Sequence, residues 1–579
     1  MADKVNTAAQ FPGCYSAHLY QATPPFIMPR WSLPFTLLCA AVLLGGCATA
    51  PPRAVQPSDS ADFHLLMGEI ALMRGASDVA LEQYQRASVR MNDPEISRRA
   101  TLIALGADDE AAARLAADRW EERAPADIEM AQYQAVLHAR AGETGAALDY
   151  LLKMVDSDGE AGANLQMITS LLAGEPNRWR AADLMARLAA ARPEYAEGWY
   201  GAALLALEAE RPALAVAFST RALERAPDLL DTKFLKARSQ LALRPGGTDS
   251  ENVLKPLSGF RRAADPGQRY RYAGLLVLAG RDAEADALYE DILVNDPDQH
   301  DARMARALLA LGAERLDVAE AELHVLLERH GRVQDAMYYL GTVAERRNAP
   351  TDAVEWYSRI SPDVPRWLDA QAAIGRLLLE HEGPDAMAEF FAELRRLWPQ
   401  HVLALTLHEA NLLTVSGYPE RALSLLNDYE TQGTGERAAL RWQMALATAE
   451  AGKSAKAESL LRELLDADPD NPSLQNALGY LLLEQGDRLE EAERLLESAF
   501  AAAPANPVVL DSLGWLRFRQ ERFPEARHLL EESWWREPSA ITGMHLLTML
   551  LTLDSVAAAD FRVELRKRFP QLMDTEGSR

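Results

Sequence analysis

Cysteine is scarce in this 579-residue chain and confined to its start, at Cys14, Cys39 and Cys47. Nothing after residue 47 can therefore form a disulfide, and a fold stapled by disulfides is excluded. Aromatic residues reach only 7%, and glycine and proline, 33 and 31 in number, follow no triplet period, which excludes a collagen-like chain and argues against an all-β one. Positive charge is also short, with 60 basic against 85 acidic residues and a net charge of -25, so phosphate backbones are repelled and nucleic acid is not an expected partner. Long apolar runs are nearly missing. The one strongly hydrophobic, charge-free stretch, Trp31 to Ala50, has an apolar centre at Leu33 to Leu44 that is too short to span a bilayer comfortably. What is abundant is Ala, Leu, Glu and Arg, in a chain that is 48% hydrophobic and 25% charged, which is helix-forming and not disordered usage. At roughly 150 residues per domain the length fits about four ordinary domains or one long array, and the composition favours the array.

Residues 1–46 read as a signal peptide region. Arg30 supplies the positive flank, Leu37 to Leu44 the apolar run, and Leu44-Gly45-Gly46-Cys47 the end. Small residues before a cysteine let a peptidase close on the backbone, and the thiol can carry a lipid. This order resembles the bacterial lipoprotein box, which implies that Cys47 is diacylated and becomes the first mature residue. Aspartate after that cysteine is the usual inner-membrane retention signal in the resembled family. Ala48 stands there instead, so the resemblance implies the periplasmic face of the outer membrane. The bland alternative is an ordinary signal or anchor helix with an incidental cysteine. Met28 as the start would give a signal of normal length, so residues 1–27 are expected to be either an over-long start or a stretch removed with the signal. Residues 47–61, with three prolines between Thr49 and Ser60 and no periodicity, read as the lipidated cysteine and a flexible tether.

Beyond the tether the sequence repeats. Gly341 and Gly375 lie 34 residues apart, as do Pro365 and Pro399, Ala492 and Ala526, and Pro504 and Pro538. Order inside a unit is kept as well: Leu340-Gly341, Ala353, Tyr357 and Pro365 in one, Leu513-Gly514, Ala526, Leu530 and Pro538 in another. Small residues at the eighth and twentieth positions let two antiparallel helices approach closely, and proline near position 32 ends the second helix. These units resemble the tetratricopeptide repeat. The expected fold is all-α, a superhelical solenoid of stacked antiparallel helix pairs, with roughly fourteen hairpins over residues 62–538. Each hairpin leaves an apolar face that only a neighbour can cover. The expected division is an N-terminal repeat segment at 62–243, an interruption or degenerate repeat at 244–264, a C-terminal repeat segment at 265–538, and a capping helix and tail at 539–579. The Pro-Gly-Gly stretch in the interruption reads equally as a hinge or as a long loop inside one repeat.

A search for chemistry ends without a site, so no enzyme, cofactor or metal is expected. Gly452-Lys453-Ser454 ends like a phosphate-binding loop, but Ala447 stands where its first glycine is needed. His408-Glu409 begins like a zinc-protease motif, yet residue 412 is leucine. His401 and His408 share a helical face without a third ligand nearby.

Binding is the remaining function. In tetratricopeptide arrays positions two, five, nine and twelve of each first helix line a concave groove. Carried over, these are Asp335, Tyr338, Thr342 and Glu345, then Asp369 and Arg376, Asn476 and Tyr480, and Asp511, Trp515 and Phe518. Tyr338, Arg376, Tyr480 and Trp515 are the expected anchors, because aromatic and arginine side chains concentrate interface energy. Packing between repeats is the competing role for each. Trp534 is expected to face inward and Trp535 outward. The whole layout is similar to a family of outer-membrane tetratricopeptide lipoproteins that serve as adaptors for a periplasmic carboxy-terminal processing protease. That resemblance implies periplasmic protein partners: the protease, which the adaptor activates, and the peptidoglycan hydrolases delivered to it. The alternative is a scaffold lipoprotein of an exopolysaccharide secretion or other envelope assembly apparatus.

Overall fold

The computed structural model describes residues 60–107, 109–157, 159–175, 177–243, 249–431, 437–486 and 488–569. Cys47, the signal region, most of the tether, residues 244–248 of the interruption and the end of the tail lie outside them. The described residues form thirty α-helices and two short 3-10 stretches. Between Ala61 and Arg536 the helices pair into fourteen antiparallel hairpins, and Ala540–Leu553 with Ser555–Arg568 makes one more. The all-α solenoid expected from the period is the fold observed.

Local sequence starts and stops these helices. Asp127 accepts from the amides of Glu129 and Met130, Asn471 from those of Ser473 and Leu474, and Asn506 from those of Val508 and Val509, so each satisfies amides that the first turn leaves unpaired. Proline stands in the first turn of many helices, where its missing N–H is not needed, as at Pro350, Pro384, Pro472 and Pro507. Gly452 and Gly486 hold the positive φ of the turn between the two helices of their hairpins.

The described residues divide into two compact units within the helix Ala161–Ala173, one ending at Asn164 and one beginning at Leu165. The first contains the hairpins at 61–90, 94–123 and 128–155. Its core is built largely from alanine, with Ala80, Ala100, Ala104, Ala113 and Ala117 all buried around Leu81, Tyr84 and Leu137. Trp120 is buried too, and its indole N–H donates to Asp127 Oδ2 at 3.0 Å, tying one hairpin to the cap of the next.

In the second unit the small residues recur one hairpin after another. Ala215, Ala285, Ala319, Ala353, Ala422, Ala457, Ala492 and Ala526 are all fully buried where the second helix meets the first, and Met387 takes the place in the hairpin at 366–397. The matching glycine of the first helix lies against a large side chain of the second. A Cβ on Gly341 would sit 2.5 Å from the Tyr357 ring, and one on Gly479 2.8 Å from Leu496. In the region of the interruption, Ser250–Leu254 and a 3-10 stretch at Lys255–Arg262 stand in for a second helix. Leu254 and Leu257 are buried there with Phe234 and Tyr272.

Polar networks are also buried between hairpins. Glu409, in a first helix, is almost wholly buried and bonds Arg395 of the preceding second helix at 2.5 Å. Arg303 and Arg306 share Glu322 at 2.6 and 2.9 Å, and Arg306 reaches back to Asp286 at 2.9 Å. Replacing Gly341 with alanine should lower stability by about 1–3 kcal/mol, the usual range for overpacking. The denaturant midpoint reads it, and an unchanged midpoint would show that the Tyr357 ring moves aside freely.

Candidate functional site

The residues expected to line the inner surface lie on first helices, and they fall into two clusters. The first spans Val333–Arg346 and Arg366–His381. Tyr338 packs with ring centroids 5.4 Å from Tyr339 and 5.3 Å from Tyr357, and the Arg366 guanidinium lies 4.9 Å over its ring. Burial pushes the Tyr338 phenol up to about 12. Asp335 accepts from Arg366 at 3.2 Å, and Arg366 also reaches Asp369 at 3.1 Å. The Thr342 hydroxyl donates to the Tyr338 carbonyl at 3.2 Å. Glu345 accepts from the Tyr357 hydroxyl at 2.6 Å and from Arg376, which also bonds Glu380 at 3.1 Å. The result is a ladder of rings and ion pairs running from one first helix to the next, in which Tyr338 and Arg376 are both engaged.

The second cluster spans Pro472–Gln485, Pro507–Arg519 and Ala540–Leu553. Asn476 is buried, and its Oδ1 has no hydrogen-bond partner. The next hairpin places Asp511 at the corresponding position, also buried, with both carboxylate oxygens 3.1 Å from Nδ1 of His545. The His545 ring stacks on Trp515 at 4.3 Å and 9° between planes. Phe518 stacks on the same indole at 5.1 Å and 18°. The indole N–H donates to Glu484 at 3.0 Å. Tyr480 stands 6.3 Å from His545, and its phenol is held above its usual range by burial, with Glu484, Asp511 and Glu450 adding to the effect. The repeat therefore brings Asn476, Tyr480, Asp511, Trp515 and Phe518 into one aromatic and acidic patch, apart from Tyr338 and Arg376.

His545 is a member that reasoning from the repeat motif missed. The helix Ala540–Leu553 has no repeat signature, but His545 lies 34 residues after Asp511, and that spacing was the available signal. Electrostatically, the pair binds the final helix pair to the last hairpin with repeat spacing, and the stacked rings hold it in place.

The motifs rejected as chemistry take structural places. Lys453 extends from its turn to Glu420 at 2.7 Å. His401 packs on Trp367 with centroids 5.1 Å apart, and burial pushes His408 below its usual range. Among the described residues no group of three or more His, Cys, Asp or Glu could hold a metal ion. Also among them, no helix is long and apolar enough to cross a membrane. Trp534 is buried against Phe561 at 5.0 Å, whereas Trp535 is 47% exposed and lines a cavity of about 590 Å³ with Asp560 and Glu564.

Replacing His545 with alanine removes both the ring stack and the bond to Asp511. Stability should fall by about 2 kcal/mol, from the usual worth of an aromatic pair and of a hydrogen bond to a charged group. Tryptophan emission should move to the red as one face of Trp515 meets water. Unchanged emission would show that the stack does not persist in solution.

Comparison with known proteins agrees with the repeat reading. A sequence profile of the tetratricopeptide repeat matches residues 304–365 and 443–507. The TPR repeat-containing protein PA4667 of Pseudomonas aeruginosa is 28% identical over 539 residues, covering 88% of this chain and 89% of that protein. Among solved structures, the APC/C hetero-tetramer Cut9-Hcn1 is matched at 14% identity and a TM-score of 0.31, with 89% of this chain and 95% of that one covered. Yeast Tom70 is matched at 14% identity and a TM-score of 0.33, with 82% and 98% covered. Residues 304–365 and 443–507 thus carry tetratricopeptide repeats, and helical hairpins continue to either side of both stretches.

Proposed function

We propose that this protein is a lipid-anchored scaffold of the outer membrane that binds periplasmic proteins and carries out no reaction itself. The observation that carries the reading is the array: hairpin after hairpin offers side chains on first helices, and tetratricopeptide repeats are in general surfaces on which proteins assemble. The anchor rests on the Leu44-Gly45-Gly46-Cys47 sequence, and the outer membrane on Ala48. Within this class the partner we propose is a carboxy-terminal processing protease, which the scaffold activates and supplies with peptidoglycan hydrolases. Its support is the resemblance in layout, a lipid box followed by a tether and more than ten repeats. A scaffold for polysaccharide export is the second reading, since it uses the same anchor and repeats.

Two measurements test this. Replacing Cys47 with serine should move the protein from the membrane to the soluble envelope fraction; retention in the membrane would remove the lipid anchor from the proposal. In a pull-down from envelope extract with residues 48–579, mass spectrometry should recover a periplasmic protease together with cell-wall hydrolases. Recovery of polysaccharide-export components without a protease would reject the adaptor role. In the same assay, changing Tyr480 and Trp515 together to alanine should weaken capture by about tenfold or more while helicity is kept, as expected for loss of two aromatic anchors. Unchanged capture would place the binding surface elsewhere.

A further inference from the structure

Within the second unit, residues far apart in sequence meet along a seam. Arg180 reaches across 288 residues to Asp468, with Nη2 to Oδ1 at 3.1 Å, and lies 3.8 Å from Asp470. The Arg536 guanidinium points at the carbonyls of Ala242 and Leu243 at 3.4 and 3.5 Å. Those carbonyls end the helix Leu230–Leu243, where a cation offsets unpaired C=O groups. The third contact joins Glu210 to the side chain of Asn506.

Two asparagine caps organise the seam. Asn471 Oδ1 accepts from the helix amides of Ser473 and Leu474, which leaves its amide nitrogen to donate to Asp468 Oδ2 at 3.0 Å; the other oxygen of Asp468 faces Arg180. One repeat later Asn506 Oδ1 caps its own helix in the same way, and its amide nitrogen is left for the Glu210 carboxylate. Asn177, Trp179, Glu210, Asn471, Ser473 and Asn506 line a cavity of about 400 Å³ between the two sides.

The character of these contacts differs from the rest of the array. Each of the three contacts is an ion pair or a hydrogen bond, whereas successive hairpins elsewhere in the unit share apolar clusters. Burial pushes the Glu210 carboxyl above its usual range, with Glu537 adding to the effect and the Asn506 hydrogen bond, Arg178 and Arg536 only partly offsetting it, so closing the seam withdraws that group from water at a cost. Contacts that are polar, partly exposed and few do not hold two surfaces together permanently.

We propose that this seam is a releasable clasp: the coil of residues 165–569 exists in a closed form, fastened by Arg180 on Asp468, Glu210 on Asn506 and Arg536 on the end of the helix Leu230–Leu243, and in an open form in which the first helices between those points spread apart.

The test uses the full chain with Cys14, Cys39 and Cys47 replaced by serine and a cysteine pair introduced by Glu208→Cys and Ser473→Cys, two residues that line the seam cavity from opposite sides. A short bis-maleimide should join them quickly. Adding Asp468→Arg sets like charges against each other and should slow crosslinking by about fivefold, and the charge swap Arg180→Glu with Asp468→Arg should restore it. High salt should slow the unswapped protein as well. Equal rates in all forms, or no crosslink in the starting protein, would overturn the clasp. If Asp468→Arg lowers the far-ultraviolet helical signal, Glu210→Gln with Asn506→Ala takes its place, with the same slowing expected and an unchanged rate counting against the proposal.

Discussion

Close approach of two helices is the constraint on which this structure depends. A hairpin of two short helices is not stable alone in water, so each pair must interlock tightly and then be covered by the next. Ala353 beside Gly341 and Tyr357, and Ala526 beside Gly514 and Leu530, show the arrangement: a small residue on each helix and one large side chain filling what they leave. Where the rule lapses, the structure compensates. Glu409 occupies the place that glycine holds in the preceding hairpin, and Arg395 neutralises it.

A second layer of order is electrostatic and has the same period. Arg332 bonds Asp301, Arg347 bonds Asp317, Arg366 bonds Asp335, Arg376 bonds Glu345 and Arg488 bonds Glu458, in each case from one hairpin to the one before it. The planar fork of arginine can span this distance and still meet a carboxylate with two donors, which lysine cannot do. The abundance of arginine and the acidic net charge, unremarkable as composition, thus become a set of ties between neighbours. Many of these pairs are partly exposed, so each adds little to stability; their contribution is to fix the rotation of one hairpin on the next.

The same ties limit what the candidate binding residues can offer. Tyr338 and Arg376 are committed to neighbours, and Trp515 is stacked with both Phe518 and His545. A partner approaching the later hairpins would therefore meet Trp515, the Tyr480 ring and the acids around them as a preformed surface, with little side-chain ordering left to do on binding.

The period of about 34 residues was legible in the sequence because it is written in single positions, glycine, alanine and proline, whose demands are local. From it followed the fold class, the fourteen hairpins up to Arg536 and the helices on which Asn476, Asp511 and Trp515 lie. The partners of those residues were not legible. His545 lies in a helix without the motif, and its bond to Asp511 arises only when that helix stacks on the array. The meeting of Arg180 with Asp468 is further still from sequence, since it depends on the small rotation between hairpins summed over many of them. Local residue type decides how two helices pair; only the accumulated geometry of the stack decides which distant side chains come within reach.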